Sequence, residues 1–228
     1  MGANAATIAS GDGGATWVDE TVGTLAGAPD LRAVFSNGAT IVVRRPVPQS
    51  AILFSQVGLK RDHPDYYGAT VVNHILGGGG FTSRLYDQVR EKRGLAYSVY
   101  TALYPLDHAA LILGGTGTAN ESVSETLAII RKLWRELGLN GVTEKELADA
   151  KTFITGSFPL RFTSSGRIAS ILIGMQLENL GIDYLERRNS FIEAVILSAY
   201  KIAFPLAFLA ARPTVCISDL ALRRNPSL

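Results

Sequence analysis

Arg90 and Tyr97 stand seven residues apart in GGGGFTSRLYDQVREKRGLAYSVY (77–100), and their types and spacing bear most directly on chemistry. A guanidinium at a helix end and a phenol on the following strand can bring two hydrogen-bond donors to one spot, where they could grip a carbonyl oxygen. The same spacing has a plain structural account. Arg90 completes a helix end, where a cation suits the negative pole of the dipole, and Tyr97 is a strand aromatic with its hydroxyl tied off. Spacing alone leaves both readings open.

Other chemistries are poorly supplied. GGGGFTSR lacks the Gly-Lys-Ser/Thr ending of a phosphate-binding loop. In LILGGTGTANES (111–122) Asn120 stands where a dinucleotide fingerprint requires glycine, and both glycine runs read as structural turns. No serine lies in a Gly-x-Ser-x-Gly elbow. The three histidines, His63, His74 and His108, are too far apart in sequence to form a helical zinc pair, and His74 reads as a packed or capping residue.

The elements that must position Arg90 and Tyr97 follow from pattern. Apolar residues at 71, 72, 75 and 76 predict a helix over about 66–76, which the tetraglycine stops. A second helix is predicted over 83–93, with Arg90, Lys92 and Arg93 in its last turn and Gly94 as a left-handed cap. Strands are predicted over about 50–60, 95–103 and 109–114. The first of these is mostly apolar and is expected to be covered on both faces. Asn37-Gly38 marks a hairpin within 31–45. Helices are predicted over 121–138 (ended by Gly138), 142–158 (opened by the capping-box spacing Thr143…Glu146), 165–180 and 183–194. The order gives an α+β fold, a largely antiparallel sheet with helices packed on one face.

Composition sets the bounds. The chain has 228 residues, 47% hydrophobic and 18% charged, enough for one sizeable core. A net charge of +2 gives no bulk attraction to nucleic acid. The single cysteine, Cys216, excludes an internal disulfide framework and a cysteine-rich zinc site. Residues 1–29 read as a mobile Gly/Ala-rich lead-in without the pattern of a signal peptide, and 30–228 as a single domain. The apolar stretch 195–211 is broken by Lys201 and Pro205 and falls short of the roughly 20 residues of a membrane span. Neither membrane nor nucleic acid is expected as a partner. The compartment is undetermined, cytoplasm or periplasm.

GGGGFTSRLYDQVREKRGLAYSVY resembles the second-domain signature of the pitrilysin/insulinase family of zinc peptidases, whose relatives include mitochondrial processing peptidase and the respiratory-chain core proteins. The likeness runs from about Pro48 to Val195 through GVTEKELADAKTFITGSFPLRF and GMQLENLGIDYLERRNSFIEAV. It implies a metallopeptidase half-domain in which Arg90 and Tyr97 bind substrate backbone. Gly78, Gly79, Gly80 and Phe81 would then lie at a chamber wall. The family's H-x-x-E-H supplies two zinc ligands and a general base. On the matching helix of this chain Thr70 falls on the first ligand, Asn73 on the base, and only His74 survives. The resemblance therefore implies no metal or cofactor in this chain, no catalytic residue of its own, and zinc in an H-x-x-E-H-bearing partner subunit or domain. A structural module like the core proteins, handling no peptide, is the alternative.

Two features depart from the family. A family subunit normally carries two such domains, and this chain has one. Residues 196–228 (ILSAYKIAFPLAFLAARPTVCISDLALRRNPSL) also resemble neither the charged helix nor the closing strand of the family, as a shifted reading frame would produce. If the closing strand is absent, an unprotected sheet edge would favour a homodimer.

Overall fold

The computed structural model describes the backbone of residues 6–9, 18–21, 40–43, 48–106, 110–197 and 214–218, and the side chains of 48–106 and 110–197. Two short strands, β1 (Ala6–Ala9) and β2 (Val18–Thr21), pair antiparallel within the stretch read as a lead-in. The main sheet has five strands in the order β3 (Thr40–Val43), β7 (Thr214–Ser218), β4 (Ser50–Val57), β6 (Ala110–Thr118), β5 (Ala96–Pro105). All its pairings are antiparallel except β3 with β7. The tail thus contributes a strand beside β4, which removes the bare-edge argument for dimerisation there. Asn37-Gly38 lies outside the described residues.

Strand β4 alternates buried and exposed, with Ile52, Phe54 and Gln56 turned to the helices and Leu53 and Val57 about half exposed, at 48% and 51%. The expectation that both its faces are covered therefore fails, because the helices pack on one side alone. Phe54 meets Trp134 edge-to-face at 5.8 Å, and the indole N–H donates to Gln56 Oε1 at 2.6 Å, so a buried polar pair sits satisfied in the apolar core. Trp134 belongs to α3 (Val123–Asn140), whose Val123, Leu127, Ile130, Trp134 and Leu137 form its buried stripe.

The glycines of 111–122 are a second correction. Gly114, Gly115 and Gly117 lie within β6, not in a turn. A Cβ on Gly114 would stand 2.2 Å from the Phe54 ring, and one on Gly115 would be 3.1 Å from Tyr100. These positions make room for aromatic rings on the flanking strands. Gly138 does not end α3 either. The helix runs on to Asn140 and closes at Gly141, whose φ of +70° is a conformation glycine adopts freely.

The remaining helices are α4 (Glu144–Gly156), α5 (Ser165–Leu177) and α6 (Tyr184–Glu193). The Thr143–Glu146 capping box opens α4 as its sequence suggests, with both reciprocal bonds formed. No helix among the described residues is long and apolar enough to cross a membrane.

Candidate functional site

The first helix, α1 (Tyr66–Asn73), runs two residues into the tetraglycine before it stops. A π-helical turn carries it through His74–Gly78. Gly77 is buried against strand β5, where a Cβ would meet Thr101 Oγ1 at 2.6 Å. The chain reverses only at Gly80, with φ +57°, in the short turn Gly80–Thr82. Ser83 then caps α2 (Arg84–Tyr86), which continues as a second π turn, Asp87–Glu91. The helical end is closed by Gly94 N–H to the Arg90 carbonyl (2.8 Å) and Leu95 N–H to the Val89 carbonyl (2.9 Å), with Gly94 at φ +62°. Backbone bonds therefore hold Arg90 at the point where helix becomes strand.

Strand β5 begins two residues later. Its register against β6 slips between Ala96 and Val99, and Tyr97 in that bulge is 84% exposed. The Arg90 guanidinium carbon lies 4.8 Å from the Tyr97 ring centroid, so the structure brings the two together. Two further rings join them, Tyr86 at 4.8 Å and Phe81 at 5.6 Å. Phe81, at the tip of the glycine turn, is 75% exposed and meets Tyr86 edge-to-face at 4.8 Å. Tyr86 is buried, at 6% exposure, and its hydroxyl has no hydrogen-bond partner among the described residues. It lies one helical turn before Arg90, a spacing that puts the two on one helix face but does not by itself mark a cation contact.

Gly78 and Gly80 are exposed and Gly79 half-buried. Cβ atoms on Gly78 and Gly79 would lie 2.6 Å from Asn73 Nδ2 and 2.7 Å from the His74 carbonyl. Their immediate effect is to let this turn close on α1.

On α1 and the π turn that continues it, the positions that answer to the family's metal motif carry Thr70, Asn73 and His74. Thr70 donates its hydroxyl hydrogen to the Tyr66 carbonyl, as a helix-surface threonine does. Asn73 Nδ2 reaches the Thr101 carbonyl at 3.4 Å, while Asn73 Oδ1 and Thr101 Oγ1 are buried without partners among the described residues. His74 packs against Phe153 at 5.1 Å, and burial pushes its pKa below the usual value. One imidazole beside a hydroxyl and an amide does not provide the donor set for zinc. Among the described residues no group of three or more His, Cys, Asp or Glu side chains is placed to hold a metal ion, and His108 lies outside them.

Residues 15–154 match the family description "Peptidase M16 inactive domain". The chain belongs to the peptidase M16 family, that of the pitrilysin/insulinase peptidases. It is 30% identical over 179 residues to a Bacillus subtilis protein named "uncharacterized zinc protease YmxG", covering 70% of this chain and 42% of that protein. A solved peptidase M16 inactive domain from Pseudomonas fluorescens matches with a TM-score of 0.72 and 31% identity, over 82% of this chain and 45% of that one. A chain of complex III2 from Candida albicans shares the fold at a TM-score of 0.66 and 18% identity, over 81% of this chain and 47% of that one. This chain thus spans less than half the length of each. The M16 inactive-domain fold is the half-domain the 77–100 signature implies, and the names of the curated relatives attach zinc to those proteins.

Proposed function

We propose that this domain holds the backbone of an extended peptide through Arg90 and Tyr97 for a partner, subunit or domain, that carries H-x-x-E-H and the zinc. The observation that carries the reading is the state of Arg90. Its guanidinium makes no hydrogen bond within the described residues, and its one ion-pair contact there is Glu91 at 3.8 Å. A cation that makes no hydrogen bond among the described residues and lies over an exposed phenol is arranged to receive an acceptor from outside.

In this reading Arg90 and Tyr97 donate hydrogen bonds to the peptide carbonyl beside the scissile bond and to the oxyanion that develops there. The bond itself is broken by the partner's zinc-bound water. Loss of one such donor lowers turnover by about 10²–10³. The test is Arg90→Ala and Tyr97→Phe, assayed with the zinc-bearing partner present. Turnover falls while assembly is intact if the reading holds, and unchanged turnover refutes it. The alternative, a structural module that never handles peptide, draws on the fold likeness to the complex III2 chain alone, and the unused donors of Arg90 weigh against it.

A further inference from the structure

We propose that Phe81 and Tyr86 are positioning residues for Arg90. With Tyr97 they form an aromatic cage that fixes the guanidinium by its faces and leaves its edge free to bind. This rests on the reading of Arg90 as a peptide-gripping residue and names the side chains that make it competent.

An arginine is ordinarily held in place by carboxylates or carbonyls, which occupy the very N–H groups that a ligand would use. Aromatic rings instead contact the π-faces of the guanidinium, so the in-plane donors stay available. Arg90 has three rings within 5.6 Å and, among the described residues, no hydrogen bond. Its neighbours are held in the other way. Lys92 bonds Asp87 at 2.6 Å, and Arg93 donates to the Gln88 carbonyl and Oε1 at 2.9 and 2.8 Å.

Arg61 gives the contrast within the same chain. It too lies over three tyrosines, Tyr66, Tyr67 and Tyr184, yet its donors are engaged by Glu178 (2.7 Å), Tyr67 (3.2 Å) and Tyr184 (2.9 Å). That cluster joins the loop after β4 to α1 and α6 and offers nothing outward. The Arg90 cage is built from the same parts with the hydrogen bonds left out.

The cage has a buried floor and exposed sides. Tyr86 is buried, so its ring is set by the core, while Phe81 and Tyr97 are exposed and rise from the glycine turn and the bulge of β5. The Tyr86 hydroxyl bonds nothing among the described residues, and it is the ring that Arg90 lies over.

The test has two arms. In the first, the side-chain Nε–H signal of Arg90 is recorded by NMR on the full chain alone. The cage places it upfield through ring currents. Phe81→Leu and Tyr86→Leu return it toward the value of a free arginine, and Tyr86→Phe keeps it upfield. In the second, peptide cleavage is measured with the zinc-bearing partner. Phe81→Leu and Tyr86→Leu each lower kcat/KM by about threefold to tenfold, the range of a cation–π contact. Tyr86→Phe restores the wild-type rate, and Phe81→Leu has no further effect once Arg90 is already alanine.

An Arg90 signal at the free-arginine position in the wild type overturns the cage. So does an Arg90→Ala loss that neither leucine variant reproduces, or a Phe81→Leu loss that persists in the Arg90→Ala background. An upfield Arg90 signal together with an Arg90→Ala variant of full activity is a different failure: it refutes the peptide-gripping reading, and the positioning role falls with it.

Discussion

Arg84 and Glu146 meet in a two-pronged ion pair, with Nε 2.7 Å from Oε1 and Nη2 2.7 Å from Oε2. Arg84 also reaches the Gly141 carbonyl at 3.0 Å, so one side chain ties the helical segment bearing Arg90 to the end of α3 and the start of α4. The hydrogen bonds from Arg84, aided by those from Thr143 and opposed by partial burial, hold the Glu146 carboxyl at about 2. A carboxylate depressed in this way stabilises the fold fully above its ordinary value near 4.5, and the contribution fades as pH falls toward 2. Glu146→Gln is therefore expected to cost about 1–2 kcal/mol at neutral pH, the pair being partly exposed. Urea midpoints of wild type and variant should converge as the pH is lowered below 4.5. A gap that stays constant, or widens in acid, contradicts the assignment.

Two glycines with opposite surroundings give opposite predictions. A Cβ on Gly114 would intrude on the Phe54 ring at 2.2 Å and on the Tyr100 carbonyl at 2.8 Å, so Gly114→Ala should destabilise by about 1–3 kcal/mol. Gly174 lies inside α5 with open space around it, so Gly174→Ala should stabilise by about 0.5–1 kcal/mol. Thermal melts of the two variants, shifted in opposite directions, check both.

Gly94 couples stability to the site. Its φ of +62° disfavours any side chain, and its N–H closes the helical end on the Arg90 carbonyl. Gly94→Ala should cost about 1 kcal/mol and lower the melting temperature by about 2–4 °C. The angle between Arg90 and Tyr97 should change with it, reducing peptide cleavage in the presence of the partner by more than the stability loss accounts for. A variant with lowered melting temperature and full activity shows that the cap matters for folding alone.

How much of this was legible in the sequence depends on the reach of the interaction involved. The capping box at Thr143 and the left-handed cap at Gly94 are local, and they read correctly because the residues that decide them are neighbours. The helix and strand order over about 50–194, and the approach of Arg90 to Tyr97, follow from the same short-range patterns, whereas strands β1, β2 and β7 were not anticipated. The β6 glycines did not read correctly, since Gly114 and Gly115 are explained by Phe54 and Tyr100 on other strands. The helix passing through Gly77 is explained by its contact with Thr101, again across the fold. Tyr86 was overlooked for the opposite reason. It sits at ordinary helical spacing, and as an aromatic on a buried face it gave no sign of stacking on a cation.

The central claim is that this chain holds a peptide and has no means of cutting it. The most direct measurement is hydrolysis of a peptide by the purified chain alone, and again after a zinc-bearing H-x-x-E-H partner is added, with zinc content determined on the same samples. The account predicts no hydrolysis and no retained zinc for the chain alone. It also predicts that the partner's cleavage rises on mixing with the wild type and does not rise with Arg90→Ala. Hydrolysis by the chain unaided, with one equivalent of tightly held zinc, would contradict it.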